Sequence, residues 1–375
     1  MNNWREIFIL PWLELEESIV IGSIHFSPFS NVQDDLKSSE DIMSLLSQSF
    51  LSARSDRMFL LNNITICTHG ELNFRKLTSL EVLDIRRAVD ILILNYICFN
   101  IRSKVCYTGT YDNFPNTNLF EMINIHNSGK DRIVHVLDFE TSSTFSSLSK
   151  GEFRCYKPST VRLGIRSYFP TLTEGFGQCL VQKNRFTDRL FQSLEWFRIA
   201  HLEDFGFSPY AKLVMMHSAF EVFLKFPGLQ HKKKGKKTKK RVTKEAYFIK
   251  YIENNIASKS FRKVPGIKPN KSEITTAGRW TLRFNRLRNK IVHGDKLIPD
   301  SLKYKNNISH LEVADLILIE CIVKELFRRG YFNKLIYETN YTVSKPKRIN
   351  NLAKSIFKHL FTDFKDVHKA LGWTK

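Results

Sequence analysis

The apolar residues of this chain change their spacing near residue 183. Before that point, short runs rich in Ile, Val, Phe and Trp are separated by turn residues, the pattern of strands. After it, apolar residues recur at three- and four-residue intervals, the pattern of helices that bury one face. The switch predicts an α+β protein. A strand-rich mixed domain covers residues 1–182 and an all-α helical bundle covers residues 183–375. A chain of 375 residues has room for two such domains.

In the first domain, Glu6–Leu15 and Ser18–Phe26 read as a strand pair. Asp41–Leu51 has helical spacing through Ile42, Leu45, Leu46 and Phe50. Asn62–Thr68 and Leu72–Arg75 read as short strands, and Ser79–Ile97 as a helix with a Ser-x-Glu start. Further strands are expected at Lys104–Thr108, Leu119–Ile125, Arg132–Glu140 and Val161–Phe169. The Ser/Thr-rich stretch Thr141–Lys150 reads as a loop. Ala88–Asn100 is the most apolar run, but Asp90 and Asn95 interrupt it and it is too short to span a bilayer, so no membrane partner is expected. The N-terminal stretch MNNWREIFILPWLELEE turns acidic soon after its apolar part and has no basic leader, unlike a signal peptide. Six cysteines are scattered without a C-x-x-C pair, which argues against a zinc knuckle or a disulfide scaffold. The expected location is a reducing cytoplasm.

In the second domain, helices are expected at Phe186–Ala200, Pro209–Phe226, Lys244–Ile256, Ala277–His293 and Ser309–Gly330. Ser258–Thr276 carries Pro265, Gly266 and Pro269 and reads as irregular. Asn350–Leu371 reads as a last amphipathic helix that either packs on the bundle or bridges a dimer.

Net charge is +21. Such an excess points to a polyanionic partner, nucleic acid ahead of membrane. Residues 231–241 read HKKKGKKTKKR, with eight Lys/Arg and no acid. The run has no apolar residue and cannot form a core of its own. Either it is a solvated loop, or Lys232, Lys233, Lys234, Lys236, Lys237, Lys239, Lys240 and Arg241 grip phosphates as an RNA-binding arm with sequence-independent, salt-sensitive affinity.

The helix from Ala277 ends in Arg288-Asn289-Lys290-Ile291-Val292-His293-Gly294-Asp295. Trp280, Phe284, Leu287 and Ile291 recur at i, i+4, i+7 and i+11, a buried face. Asn285, Asn289 and His293 form a second row, and Arg286 lies nearly over His293 two turns earlier. Gly294 is a natural residue just past a helix end. Histidine moves protons near neutral pH, and the guanidinium fork matches a phosphate. RNA brings its own nucleophile in the 2′-OH, so a metal-free site that cuts it needs little beyond these two groups. The spacing alone is weak: 23 Arg and 11 His in this chain give about 0.7 such pairs by chance. The residues also leave a plainer reading open, a helix end capped by His293 with Arg288 as a solvated charge.

Arg-Asn-x-x-x-His-Gly at the end of an amphipathic helix resembles the signature of HEPN domains, above all the Apea-like HEPN proteins of phage defence and abortive infection. The resemblance covers roughly residues 185–335. His217–Leu224 (HSAFEVFL) resembles the family's second helix, with Glu221 as its acid amid apolar residues. The resemblance implies a metal-independent endoribonuclease, a toxin or defence effector that leaves 2′,3′-cyclic phosphate and 5′-OH ends. It implies a homodimer with two Arg/His pairs in one cleft, a substrate such as tRNA or mRNA, and no cofactor. His293 takes the acid/base role and Arg288 the phosphate role. Asn289 either holds the scissile phosphate, orients His293 or bonds nearby backbone. Glu221 orients a catalytic group, and Arg286 is the substitute phosphate and RNA ligand. Residues 1–182 become a sensing or regulatory domain for a phage-derived or nucleic-acid trigger. The family also has members that bind without cutting, so the alternative is a non-catalytic nucleic-acid- or protein-binding module. His217 reads as a core histidine, and His25, His69, His126 and His135 are given no role.

Overall fold

Pro11 and Gly22 decide how the N-terminal chain turns. Pro11 has no N–H to continue a ladder, and the chain bends at Pro11–Trp12 between β1 (Arg5–Leu10) and β2 (Leu13–Leu15). Gly22 sits at φ +62°, a conformation that suits glycine. It joins β3 (Ile19–Ile21) to β4 (Ile24–Pro28) as a hairpin. The two stretches expected to form one strand pair are therefore four strands, and β1 pairs elsewhere.

These features come from a computed structural model. It describes residues 5–36, 50–52, 64–70, 75–107, 120–127, 134–138, 144–147, 155–157, 161–163, 170–202, 208–226, 243–257, 261–264, 273–305, 307–331 and 364–374.

By contacts the chain divides into two units, Met1–Ile97 with Asn116–Thr187, and Cys98–Pro115 with Asp188–Lys375. The first unit is built on a seven-stranded antiparallel sheet in the order β3-β4-β6-β1-β7-β8-β9. The remaining strands are β6 (Thr65–His69), β7 (Ile123–Asn127), β8 (Val134–Asp138) and β9 (Thr144–Ser147). β1 lies at the middle, and Ile7, Phe8, Ile9 and Leu10 are all buried. A run buried on both faces replaces the usual alternation. β9 falls inside Thr141–Lys150, which composition reads as a loop. An edge strand asks of its residues only a backbone ladder on one side, and Thr144–Ser147 provides one to β8. Two small parallel pairs join β2 to β11 (Val161–Leu163) and β5 (Phe50–Ser52) to β10 (Cys155–Lys157). Phe50 and Leu51 are thus in a strand; the rest of the helix expected at Asp41–Leu51 falls outside the described residues.

The helices are α1 (Phe29–Leu36), α2 (Ser79–Tyr107), α3 (Pro170–Val181), α4 (Arg185–Ala200), α5 (Pro209–Phe223), α6 (Lys244–Asn255), α7 (Thr276–Val292), α8 (His310–Arg328) and α9 (residues 364–370). Helix α3 closes on the Gly22 turn: a Cβ on Gly177 would lie 2.7 Å from the Gly22 nitrogen, so both glycines are required. Helix α2 continues ten residues past Ile97, and the strand expected at Lys104–Thr108 is its last turn. Cys98, Ile101 and Val105 are buried at helical spacing, and Lys104 Nζ reaches Glu312 at 2.5 Å. No helix among the described residues is long and apolar enough to cross a membrane.

In the second unit α8 is buried along most of its length. Ser309 and Glu312 form a capping box at its start. Three acids, Glu312, Asp315 and Glu320, are buried on it. Each meets a cation or imidazole from another element: Lys104 of α2, His201 at the end of α4 and His368 of α9. The segment 364–374 packs on the bundle of its own chain. Trp373 lies 6.0 Å from Trp280, ring to ring, and its carbonyl accepts from Arg262 N at 2.7 Å and Thr276 Oγ1 at 3.1 Å. Residues 350–363 of the expected last helix lie outside the described set.

Candidate active site

Helix α7 begins at the Thr275 cap, whose side chain accepts from Gly278 N. It buries Trp280, Phe284 and Leu287, with Trp280 and Phe284 stacked 5.2 Å apart. Ile291, expected on the same face, is only partly buried because it lies in the last turn. The end is a Schellman turn. Gly294 N–H bonds the Ile291 carbonyl at 3.1 Å, Asp295 N–H bonds the Lys290 carbonyl at 2.9 Å, and Gly294 takes φ +75°.

His293 is the capping residue of that turn, and its backbone N–H donates to the Asn289 carbonyl. Its side chain is exposed, with no hydrogen-bond or ion-pair partner among the described residues. Arg288 is half-buried. Its Nη2 lies 3.9 Å from Glu221 Oε1, and its Nη1 donates to Asn289 Oδ1 at 3.2 Å. Its Nε is buried with no hydrogen-bond partner. On a regular helix positions 288 and 293 project about 140° apart, while 286 and 293 are about 20° apart. Arg288 therefore faces α5, and Arg286 stands on the side of His293.

Glu221 is the hub. One oxygen accepts from Lys244 Nζ at 2.9 Å; the other lies 3.9 Å from Arg288 and 3.5 Å from His217 Nδ1. His217 is 1% exposed and rings of Phe226, Phe248 and Phe284 surround it, as a core histidine requires. Its Nε2 pairs with Asn285 Oδ1 at 2.9 Å, and Asn285 Nδ2 donates to Glu245 Oε2 at 3.3 Å. Burial pushes His217 down to about 4, against the pull of Asn285 and Glu221. It is neutral at pH 7, and Nε2 carries the proton it gives Asn285. Arg286 reaches Glu245 at 3.8 Å.

Of the expected site residues, Arg288, Asn289 and Glu221 are brought together, His293 stands apart at the helix end, and Arg286 accompanies it. Lys232, Lys233, Lys234, Lys236, Lys237, Lys239, Lys240 and Arg241 lie outside the described residues. Sequence reasoning missed Lys244, Glu245 and the anchoring of Asn285. One signal was there: Asn285 follows Phe284 on a face that otherwise asks for apolar residues, and a buried amide needs partners.

Two other groups are less equipped for chemistry. Ser23 Oγ lies 3.2 Å from His69 Nε2, and His69 Nδ1 is 3.7 Å from Glu81. Glu81 is engaged by Arg75 and by the Thr78 backbone and hydroxyl, so it orients no imidazole. Burial pushes the thiols of Cys67, Cys98, Cys179 and Cys321 up, away from the reactive thiolate. Among the described residues no cluster of three or more His, Cys, Asp or Glu could hold a metal ion.

Comparison with protein-family models, with curated proteins and with solved structures finds no match to this chain.

Proposed function

We propose that this protein is a metal-independent endoribonuclease of the HEPN type, acting as a toxin or phage-defence effector on RNA. The observation that carries the reading is the end of α7. An exposed imidazole sits on a rigid Schellman turn, one turn beyond an arginine held against Glu221. In the proposed reaction His293 takes the proton of the 2′-OH. The 2′-oxygen attacks phosphorus, Arg288 and Asn289 stabilise charge on the non-bridging oxygens, and the P–O5′ bond breaks. The 5′-oxygen leaves with a proton, giving a 2′,3′-cyclic phosphate and a 5′-OH. One imidazole cannot be base and acid in the same step, and Arg288 and His293 project to different sides of α7. A second copy of the chain, bringing its own pair, answers both needs.

The test is incubation of the full-length protein with total RNA in EDTA and analysis of the ends. The expected result is cyclic phosphate termini from wild type and none from His293→Ala, with Arg288→Ala down by about 10²-fold or more. Cleavage that persists in His293→Ala overturns the assignment.

A second reading is a HEPN-like module that grips nucleic acid or a protein without cutting. It is favoured by the lone His293 ring and by the neutralisation of Arg288 by Glu221. It expects salt-sensitive binding equal in wild type and His293→Ala, with no cut ends.

A further inference from the structure

Helix α7 carries five cations, Arg279, Arg283, Arg286, Arg288 and Lys290, and no acid. Their placement is uneven. On a regular helix Arg279, Arg283, Arg286, Lys290 and His293 fall within an arc of about 80°, and Arg288 alone points elsewhere. Arg283, Arg286, Lys290 and His293 are exposed. The line from Arg283 to His293 covers about 15 Å of helix. Spacings of three and four residues set these like charges beside one another, where they repel.

Some cations elsewhere among the described residues are paired with acids: Lys324 with Glu320, Arg328 and Arg329 with Glu325, Lys104 with Glu312 and Lys183 with Asp84. Lys250 of α6 is exposed without such a partner, but no cation stands three or four residues from it. On the α7 ridge Arg286 has a long ion pair to Glu245 at 3.8 Å. Among the described residues Arg283 and Lys290 have no acidic partner within ion-pair distance. The ridge also lacks an exposed aromatic ring, since Trp280 and Phe284 point into the core. A row of cations with no stacking platform fits the phosphates of a strand and leaves its bases unread.

We propose that the Arg283–Arg286–Lys290 ridge is a phosphate track that leads a single RNA strand, independently of sequence, to His293. The proposal rests on the ribonuclease reading for the place the track leads to, and on the ridge itself for binding. The track is distinct from the lysine-rich run at 231–241 and adds to it.

The test uses full-length His293→Ala, so that RNA survives, and titrates fluorescent poly(U) and poly(A) at several KCl concentrations in EDTA. Each phosphate contact contributes about 0.7 to the slope of log Kd against log salt for a single strand. The double change Arg283→Ala/Lys290→Ala is expected to reduce the slope by about 1.4 and to weaken both polymers several-fold and alike. Lys250→Ala/Lys365→Ala, two exposed lysines off the ridge, serves as the charge-matched control and is expected to leave the slope near its starting value. An unchanged slope in the double variant overturns the track, even if wild type cuts RNA. A strong preference between the polymers that the double variant abolishes also overturns it, because the ridge then reads bases. Conversely, a reduced slope beside a wild type that never cuts RNA sustains the track and sinks the nuclease reading.

Discussion

Glu221 on α5 and Arg288 on α7 stand 3.9 Å apart, and the other Glu221 oxygen holds Lys244 at 2.9 Å. One carboxylate thus balances two cations from two helices. A substrate phosphate would compete with it for Arg288. Glu221→Gln keeps the shape and removes the charge. The expected result is a lower KM, because the competitor is gone, together with a kcat about tenfold lower, because the guanidinium loses its anchor. Steady-state cleavage of a defined RNA checks it. A Glu221→Gln enzyme with wild-type kcat and KM rules out a positioning role for this acid.

Much of the bundle was legible because its residues obey one period. Phe186–Ala200, Lys244–Ile256 and Ala277–His293 differ from the observed helices by a residue or so. The caps explain the precision: Thr243, Thr275 and Ser309 start helices, and Gly294 and Gly330 end them at positive φ. The strand-rich half was harder to read. Phe50–Ser52 is a strand because of Cys155–Lys157 beside it, and a neighbour that far along the chain leaves no local signature; Thr144–Ser147 pairs with the nearby Val134–Asp138 despite a loop-like composition. Helix α2 overran its expected end for a similar reason, since Lys104 answers to Glu312. At the site, the sequence offered Arg288, His293 and Glu221 as types and spacing. It could not offer Glu245 or Lys244, because their role depends on where α6 begins after a long connection.

His217 and His310 are both buried, and burial pushes each down to about 4, in the case of His310 with help from the Arg283 charge. Both folded values lie below the unfolded one of about 6.5. The unfolded chain therefore takes up protons first as pH falls, and stability is full above pH 6.5 and declines toward pH 4. Each residue contributes at most about 3 kcal/mol to that decline. His201 opposes it: burial lowers it, but its bond to Asp315 outweighs burial and holds it above its ordinary value, so its contribution is present at low pH and fades as pH rises. Urea midpoints measured from pH 7.5 to 4.5 are expected to fall, and His217→Gln, which still offers a donor to Asn285, to flatten part of the fall. An identical pH profile in that variant contradicts a neutral His217.

Gly294 takes φ +75°, and a Cβ there would meet no atom within 4 Å. Any cost of Gly294→Ala is therefore conformational, about 1–2 kcal/mol. Gly294→Asn is expected to cost about half as much, since Asn tolerates this region. On the proposed chemistry the same turn aims His293, so RNA cleavage falls in the same order, Gly, Asn, Ala. Melting curves and cleavage rates of the two variants check both halves, and an alanine variant more stable than the asparagine one contradicts the turn geometry.

His368 Nε2 lies 2.8 Å from Glu320 Oε2 in the core of the bundle, with Lys324 on the other carboxylate oxygen. Burial pushes Glu320 up, but the bond and charge of His368 together with Lys324 outweigh it and hold the acid below its ordinary range. Removing one partner of a buried pair costs about 3–5 kcal/mol where it strands the other; Lys324 stays on Glu320 and makes that figure the upper end here. His368→Ala is expected to destabilise by that order and to free the segment 364–374, whose Trp373 otherwise sits between Trp280 and Phe261. The double variant His368→Leu/Glu320→Leu removes both partners and is expected to recover most of the loss. Denaturant unfolding gives the energies, and limited proteolysis reports whether the C-terminal segment is cut first. If His368→Ala unfolds with the wild-type midpoint, the pair does not hold α9 to α8.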